Sequence, residues 1–244
     1  MATREAYAEL ASTQDRAIAL ARDGAEEGSR VVAGRQTAGR GRLDHGWASP
    51  TGGLYLSVVV RDPASPLLSL AIGASLLRSY RQRYGVPGAL KWPNDLFVVS
   101  AGTPGRKLGG ILIDRIASPT LGSAAVVGLG VNVHLAPDAL PFALVGRVAS
   151  LEEFVRPLPP LFSLEQEAVD VVRSAARSLR TAEGALSTLR AVDELLYGVG
   201  RAATVDGTLR GTIVGVADDG ALLIDRGAER VSIRAGDLRV EDGP

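Results

Sequence analysis

The pattern of hydrophobic and polar positions along the chain predicts an α+β protein. Residues 54–60 and 124–134 are runs of aliphatic and β-branched residues, which is typical of buried strands. Apolar residues recur at helical spacing in residues 12–27, 67–84, 164–179 and 183–195. Shorter strands are predicted at residues 31–33, 90–92, 95–99 and 107–116. We therefore expect a central mixed β-sheet flanked by helices.

The texture of the sequence changes after Gly198. Short β-type runs follow one another at residues 202–205, 209–216, 221–225, 230–234 and 238–240. Asp206-Gly207 and Asp218-Asp219-Gly220 are turn signals between them. We predict two domains, residues 1–197 and residues 198–244, the second being a small β-barrel.

Composition limits the possible functions. The 244 residues are 46% hydrophobic, and 27 basic side chains balance 27 acidic ones, whereas DNA-binding domains are usually basic. The absence of cysteine excludes disulfides, thiolate nucleophiles and cysteine-based zinc sites. The N-terminus has no secretory pattern, and the uncharged residues 116–137 are interrupted by polar residues and proline, unlike the ~20 apolar residues of a membrane span. We expect a cytoplasmic protein that binds neither DNA nor membranes.

The segment from residue 34 to residue 53 contains six glycines and the string Gly39-Arg40-Gly41-Arg42. Glycine lets backbone N–H groups approach an anion closely, and arginine adds a planar fork of donors. The alternative, a flexible basic surface loop, is less favoured because this single copy lies between two strands of a hydrophobic domain. The string matches neither the P-loop nor the dinucleotide fingerprint.

Two further motifs pair cations with glycines or carboxamides. Lys91-Trp92-Pro93-Asn94-Asp95 predicts a strand end and turn, where Trp92 and Pro93 are structural and Asn94 and Asp95 can reach a ligand. Arg106-Lys107 precedes Gly109-Gly110, and glycines inside a strand suggest a close approach by another group. The same argument applies to Gly128 and Gly130. Together these motifs predict a pocket for a phosphate-bearing ligand.

The two histidines, His45 and His134, lie in different segments. Without cysteine, they predict neither a histidine-based metal site nor a Ser-His-Asp triad.

In their order along the chain, the motifs resemble those of bacterial biotin protein ligases. The matching segments are Ser12-Thr13, Gln36 to Arg42 with Trp47, Lys91 to Asp95, Arg106 to Ile111, Gly128 to Asn132, Ala149-Ser150-Leu151 and Gly236-Asp237-Leu238. The resemblance covers nearly the whole chain and implies an α+β catalytic domain with a C-terminal SH3-like barrel. Members that also act as repressors carry a winged helix ahead of the Ser-Thr motif. Only eleven residues precede Ser12, so the resemblance implies a ligase without DNA binding.

The resemblance also implies a two-step reaction. Biotin and MgATP give biotinyl-5'-AMP and pyrophosphate, and biotin then passes to a specific lysine of a biotin carboxyl carrier protein or domain. The first step brings a carboxylate to a polyphosphate, so cations must offset their repulsion. Lys107, Arg40 and Arg42 are the implied catalytic residues, with Lys107 as the principal cation.

Each substrate has an implied set of residues. Ser12, Thr13 and Gln36 would hydrogen-bond the ureido ring, and Gly110, Leu112 and Gly128 would line its slot. The biotin-binding set is Ser12, Thr13, Gln36, Gly39, Arg40, Arg42, Lys107, Gly110, Leu112 and Gly128. The adenylate-binding set is Arg40, Gly41, Arg42, Trp47, Lys91, Asn94, Lys107 and Asn132.

Three roles within the resemblance are narrower. Mg²⁺ would arrive with ATP near Asn94, without a direct protein ligand, and Asn132 would lie on the adenine side. Asp95 would orient Lys107 or assist the incoming lysine. The glycine-rich loop of residues 34–53 is expected to order over the ligand.

The sequence departs from the family pattern at three positions of this loop: His45 replaces a basic residue, Asp44 adds a negative charge, and Gly34 stands where many members have glutamate. Two other functions stay open: a lipoate or octanoate ligase or transferase of the same fold, and a non-catalytic biotin-binding module. A monomer and a homodimer are both compatible with the sequence.

Overall fold

A computed structural model describes residues 1–43, 45–100, 103–136 and 141–241. Within them, the α-helices are α1 (Thr13–Arg22), α2 (Leu68–Tyr84), α3 (Leu161–Ser178) and α4 (Ala182–Leu195). The strands before α3 are β1 (Arg4–Tyr7), β2 (Arg30–Ala33), β3 (Leu54–Arg61), β4 (Gly88–Lys91), β5 (Asp95–Val98), β6 (Arg106–Ser118) and β7 (Gly122–Val131). The strands after α4 are β8 (Ala202–Val205), β9 (Leu209–Val216), β10 (Leu222–Asp225), β11 (Arg230–Ile233) and β12 (Leu238–Val240).

In the described residues, β1 to β7 form one mixed sheet in the order β1-β2-β3-β7-β6-β5-β4. β1 runs parallel to β2, and the other neighbours are antiparallel. The edge strand β1 is absent from the sequence prediction because its four residues are only exposed or half-buried and carry no hydrophobic run. The predicted α+β class with a central mixed sheet is confirmed.

The two faces of the sheet bury different partners. Leu56, Val58 and Val60 of β3 belong to the main core, which also contains residues of α2, α3 and α4. Val59 points to the other face and packs with Ala17 of α1 in a second, smaller cluster. This alternation is what a strand covered on both faces requires.

Helix α1 is shorter than its hydrophobic pattern predicts. It begins after Ser12, whose Oγ accepts a hydrogen bond from the N–H of Asp15 at 3.3 Å. It ends at Arg22, and Gly24 then adopts a left-handed conformation with φ of 89°. The helix was predicted to reach residue 27, so its C-terminal end lies five residues earlier than predicted.

The strands β8 to β12 form a separate antiparallel sheet of the SH3-like type, in the order β11-β10-β9-β8-β12 among the described residues. This sheet packs against α4 of the first domain: Leu222 and Ile224 belong to the same buried core as Leu195 of that helix. The Nε1–H of Trp92 donates to the carbonyl of Gly220 at 3.0 Å. The boundary at residue 197 stays a prediction, and the C-terminal sheet is close enough to contribute to a site. No helix in the described part of the chain is long and apolar enough to cross a membrane.

Candidate active site

The strand register aligns the candidate residues in rows across the sheet. Lys91 lies opposite Asp95, Asp95 opposite Gly110, Gly110 opposite Gly130, and Gly130 opposite Tyr55. Directly opposite residues of an antiparallel pair point to the same face. A cation, a carboxylate and two glycines therefore follow one another on the α1 side of the sheet, in the part that the helix does not cover.

The next row places Leu112 opposite Gly128, and Gly128 opposite Ser57. Because Gly110, Gly128 and Gly130 carry no side chains, the sheet has a recess beside the N-terminal end of α1. The glycine-rich loop closes over this recess and forms a cleft of about 950 Å³, its open mouth included. Thirteen predicted site residues line the cleft: Thr13, Gln36, Arg40, Gly41, Arg42, Trp47, Lys91, Asn94, Asp95, Lys107, Gly110, Leu112 and Gly128.

The loop over the cleft is folded back on itself. The N–H of Trp47 donates to the carbonyl of Gly39 at 2.8 Å, and the N–H of Gly41 donates to the carbonyl of His45 at 2.8 Å. The indole of Trp47 lies against Gly130, where an added Cβ would be 2.6 Å from its Nε1. The loop thus delivers one aromatic ring to the floor of the cleft.

Lys107 lies at the centre of the cleft. Its Nζ is 2.7 Å from Oδ1 of Asp95 and 5.0 Å from the centroid of the Trp47 ring. The carboxylate and the aromatic face hold the ammonium in one place. Asp95 therefore contacts Lys107 directly, and its role in orienting that cation stays a prediction.

The two loop arginines are held at opposite sides. Nη1 of Arg40 is 2.8 Å from Oδ1 of Asp15 and 3.4 Å from Oδ2 of Asp114. Nη1 of Arg42 donates to Oδ1 of Asn94 at 3.3 Å, and Nδ2 of Asn94 donates to the carbonyl of Ile111 at 2.8 Å. Arg42 is thus placed by a neutral carboxamide, which leaves its positive charge uncompensated by that partner.

Lys91 brings a fourth cation to the cleft, near the C-terminal sheet. Burial lowers the pKa of its ammonium, Asp95 and Asp237 raise that pKa in part, and Lys107 and Arg239 lower it again. Asp237 reaches the cleft from the segment before β12, together with Gly236 and Leu238. Among the described lining residues, Arg40, Arg42, Lys91 and Lys107 outnumber the carboxylates Asp95 and Asp237, and this excess of positive charge suits an anionic ligand.

The opposite end of the cleft is polar and uncharged. Oε1 of Gln36 accepts from the N–H of Thr13 at 2.8 Å and from its hydroxyl at 3.1 Å. Oγ of Ser57 is 3.0 Å from Oγ1 of Thr13 and 2.9 Å from Oε1 of Gln14. A compact neutral group with both donors and acceptors could bind there.

Three predicted residues do not line the cleft. Ser12 caps α1. Gly39 packs against other residues of its own loop, and a Cβ added to it would be 2.7 Å from Oγ of Ser49. Nδ2 of Asn132 donates to the carbonyls of Lys107 and Ala149, at 3.3 Å and 3.0 Å, and so anchors the strand that carries Lys107. Of the family departures, His45 lines the cleft and Asp44 lies outside the described residues.

The cleft also contains residues to which sequence reasoning gave no binding or catalytic role: Gln14, Ser57, Gly130 and Asp237. Gln14 adjoins the Ser-Thr motif, and Gly130 belongs to a quoted motif, so both carried a signal. Ser57 is a single polar residue inside a hydrophobic strand, which is itself informative. Asp237 belongs to the quoted Gly236-Asp237-Leu238 motif, but its position at the cleft depends on how the C-terminal sheet packs.

Two protein families match parts of this chain. Residues 8–132 match the model of the Biotin/lipoate A/B protein ligase family, and residues 201–238 match the Biotin protein ligase C terminal domain. A Mycobacterium tuberculosis protein named Biotin--[acetyl-CoA-carboxylase] ligase is 34% identical over 256 residues, covering 96% of this chain and 87% of the relative.

The chain belongs to the biotin/lipoate A/B protein ligase family. A Paracoccus denitrificans member, also named Biotin--[acetyl-CoA-carboxylase] ligase, is 30% identical over 251 residues, covering 93% of this chain and 96% of the relative. Among solved structures, the biotin protein ligase from Aquifex aeolicus in complex with biotin and ATP superposes with a TM-score of 0.82. That match covers 99% of this chain and 100% of the other at 24% identity, so it bears on the fold alone.

Proposed function

We propose that the protein is a biotin protein ligase that activates biotin with ATP and transfers it to a carrier lysine. The observation that carries the proposal is the arrangement of the cleft. Lys107, Arg40 and Arg42 face one space, while the glycine floor and neutral polar residues form a slot beside it. Members of the family at 34% and 30% identity over nearly the whole chain bear the name of this activity.

In the first step, a biotin carboxylate oxygen attacks the α-phosphorus of ATP, and the bond to pyrophosphate breaks. Two anions must approach each other, so positive charge fixed between them lowers the barrier. Lys107 is suited to this role because Asp95 and Trp47 already hold its ammonium in place. Arg40 and Arg42 would bind the phosphate oxygens from the loop side.

In the second step, the amine of the carrier lysine attacks the acyl carbon of biotinyl-5'-AMP, and the bond to AMP breaks. The mixed anhydride is reactive toward water, so a covering loop protects it. The glycine-rich loop covers the cleft and presents Trp47 to the adenylate. Asp95 lies where it could also accept the proton of the incoming lysine.

The biotin ring fits the neutral end of the cleft. Its ureido group offers one carbonyl and two N–H groups, and Thr13, Gln36, Gln14 and Ser57 supply matching partners. The adenylate would extend toward Lys91, Asn94 and Trp47.

Mg²⁺ would enter bound to ATP. Oδ1 of Asn94 already faces the guanidinium of Arg42, which makes it a poor ligand for a cation. No cluster of three or more histidine, cysteine, aspartate or glutamate side chains suited to a metal occurs in the described residues. Asp95 is likewise paired with Nζ of Lys107 at 2.7 Å, so Mg²⁺ would be held chiefly by the phosphate oxygens of ATP.

The test is ATP–pyrophosphate exchange with and without biotin, followed by transfer to a carrier domain. Exchange that requires biotin, and turnover on adding the carrier, are expected. Lys107→Ala should abolish exchange while biotin binding persists, and Arg190→Ala, which removes an exposed cation of α4, should behave as wild type. Exchange that responds to octanoate or lipoate instead would contradict the choice of substrate. Biotin binding without any exchange would contradict the enzyme assignment.

A further inference from the structure

Asp114 lies outside the cleft but touches two residues that line it. It follows Leu112 on β6 at the next position on the same face, opposite Val126 of β7. Oδ2 of Asp114 accepts from Nε2 of Gln14 at 2.9 Å and is 3.4 Å from Nη1 of Arg40. One carboxylate therefore joins the neutral end of the cleft to one of its cations.

The hydrogen bonds of Gln14 fix the orientation of its carboxamide. Nε2 has two hydrogens, and its two partners, Asp114 and the carbonyl of Val126 at 2.9 Å, are both acceptors. A flipped carboxamide would set its oxygen against both of them. Since Asp114 has no hydrogen to offer when ionised, only the observed orientation satisfies the group.

The fixed oxygen is directed at the slot. Oε1 of Gln14 would be 2.6 Å from a Cβ placed on Gly128, and Gly128 lines the cleft. Ser57 occupies one acceptor direction of Oε1 at 2.9 Å, and a carbonyl oxygen accepts two hydrogen bonds. The slot beside Gly128 is thus equipped to receive a donor.

We propose that Asp114 is a positioning residue that holds the oxygen of Gln14 toward the slot, so that the site selects a ligand with an N–H donor there. This inference rests on the proposed function, in which the donor is one ureido N–H of biotin. Asp114 does not touch the ligand and acts through Gln14.

Three variants separate the two contacts of Asp114. Asp114→Leu removes both contacts, whereas Asp114→Asn removes the charge that attracts Arg40 but keeps an oxygen that can accept from Gln14. Asp15→Asn weakens the hold on Arg40 without touching Gln14. Glu194→Gln, on the exposed side of α4, serves as the inert control.

The measurement is kcat/KM for biotin-dependent pyrophosphate exchange, with biotin and with each of its two N-methylated ureido analogues. In the wild type, methylation of one ureido nitrogen is expected to lower kcat/KM at least about tenfold more than methylation of the other, because it removes the N–H that donates to Oε1 of Gln14. Asp114→Leu should lose most of this discrimination, while Asp114→Asn, Asp15→Asn and Glu194→Gln should keep it. A merely structural role would lower all rates and leave the ratio unchanged.

Two outcomes would overturn the inference: equal discrimination in Asp114→Leu and wild type, or no discrimination in the wild type. If Asp114→Leu does not fold, Gln14→Met decides, because an unchanged ratio in that variant would show that Oε1 is not the acceptor. An absence of biotin-dependent exchange in the wild type would instead reject the proposed function. The two failures are therefore distinguishable.

Discussion

The indole of Trp47 lies directly against Gly130, with its Nε1 and Cε2 2.6 Å from where a Cβ of residue 130 would be. The contact joins the covering loop to the floor of the cleft through a residue that must have no side chain. The backbone of Gly130 is not in a left-handed conformation, so alanine there would not strain the backbone, and the atoms nearest to its Cβ would be those of the indole.

Gly130→Ala should therefore displace Trp47. The KM for ATP should rise by about tenfold or more, because the ligand loses its contact with the aromatic ring. Steady-state kinetics of pyrophosphate exchange measure it. If the effect passes through Trp47, the Trp47→Ala and Gly130→Ala changes should be strongly non-additive. Additive effects would show that the glycine serves another purpose.

Lys91→Met should separate activity from stability. Burial lowers the pKa of Lys91, so the charged side chain costs stability below that pKa, and the cost disappears as pH rises toward the unfolded value of 10.5. The variant should raise the urea midpoint at pH 7 and reduce adenylation by tenfold or more. Arg210→Met, which removes an exposed cation of β9, should change the free energy of unfolding by no more than about 0.5 kcal/mol. A lower midpoint in Lys91→Met would contradict the prediction.

Asn132→Ala should destabilise the protein by about 2 kcal/mol, because the buried carbonyl of Ala149 loses its donor and the carbonyl of Lys107 keeps only the N–H of Ala149. The resemblance places Asn132 on the adenine side, whereas its hydrogen bonds anchor Lys107. We expect kcat to fall with an unchanged preference for ATP over GTP. A selective loss of that preference, measured by exchange with each nucleotide, would restore the adenine role.

Glu165→Gln should lower the free energy of unfolding by about 3 kcal/mol at pH 7, a typical cost of breaking a buried ion pair. Glu165 accepts from Arg4 at 2.7 Å and 2.8 Å and from Arg30 at 2.8 Å. Burial disfavours the carboxylate, but these arginines outweigh it and lower its pKa from 4.5.

The stabilisation by Glu165 is therefore fully present above pH 4.5 and is lost as pH falls below it toward the folded pKa. Urea unfolding at several pH values should show the wild type and Glu165→Gln converging in acid. A gap that stays constant down to pH 3 would exclude an electrostatic origin.

The sequence predicted most elements of the fold because long strands and amphipathic helices carry strong periodic signals. It missed β1, whose four residues gain their place from pairing with β2 rather than from hydrophobicity. The end of α1 was misplaced because Ala25, Glu26 and Glu27 are good helix formers, although Gly24 has already turned the chain.

For the site, the motifs selected the residues on the glycine loop and at strand ends, where unusual residue types stand out. They could not select Asp114, since an ordinary polar residue on a strand becomes meaningful only when the register shows what lies opposite, and Ser57 was missed although it interrupts a hydrophobic strand. Asp237 lies far along the chain and reaches the cleft only through the packing of the second sheet.

Errors in strand register would destroy the row formed by Lys91, Asp95, Gly110 and Gly130. Each of these residues faces the cleft only because its strand pairs in one register. A shift of β6 by one residue would put Ile111 in the place of Gly110 and fill the recess with an aliphatic side chain. The same shift would turn Asp114 toward the hydrophobic core. Misfolded copies would thus be catalytically silent from the outset, so activity per molecule reports directly on correct strand pairing.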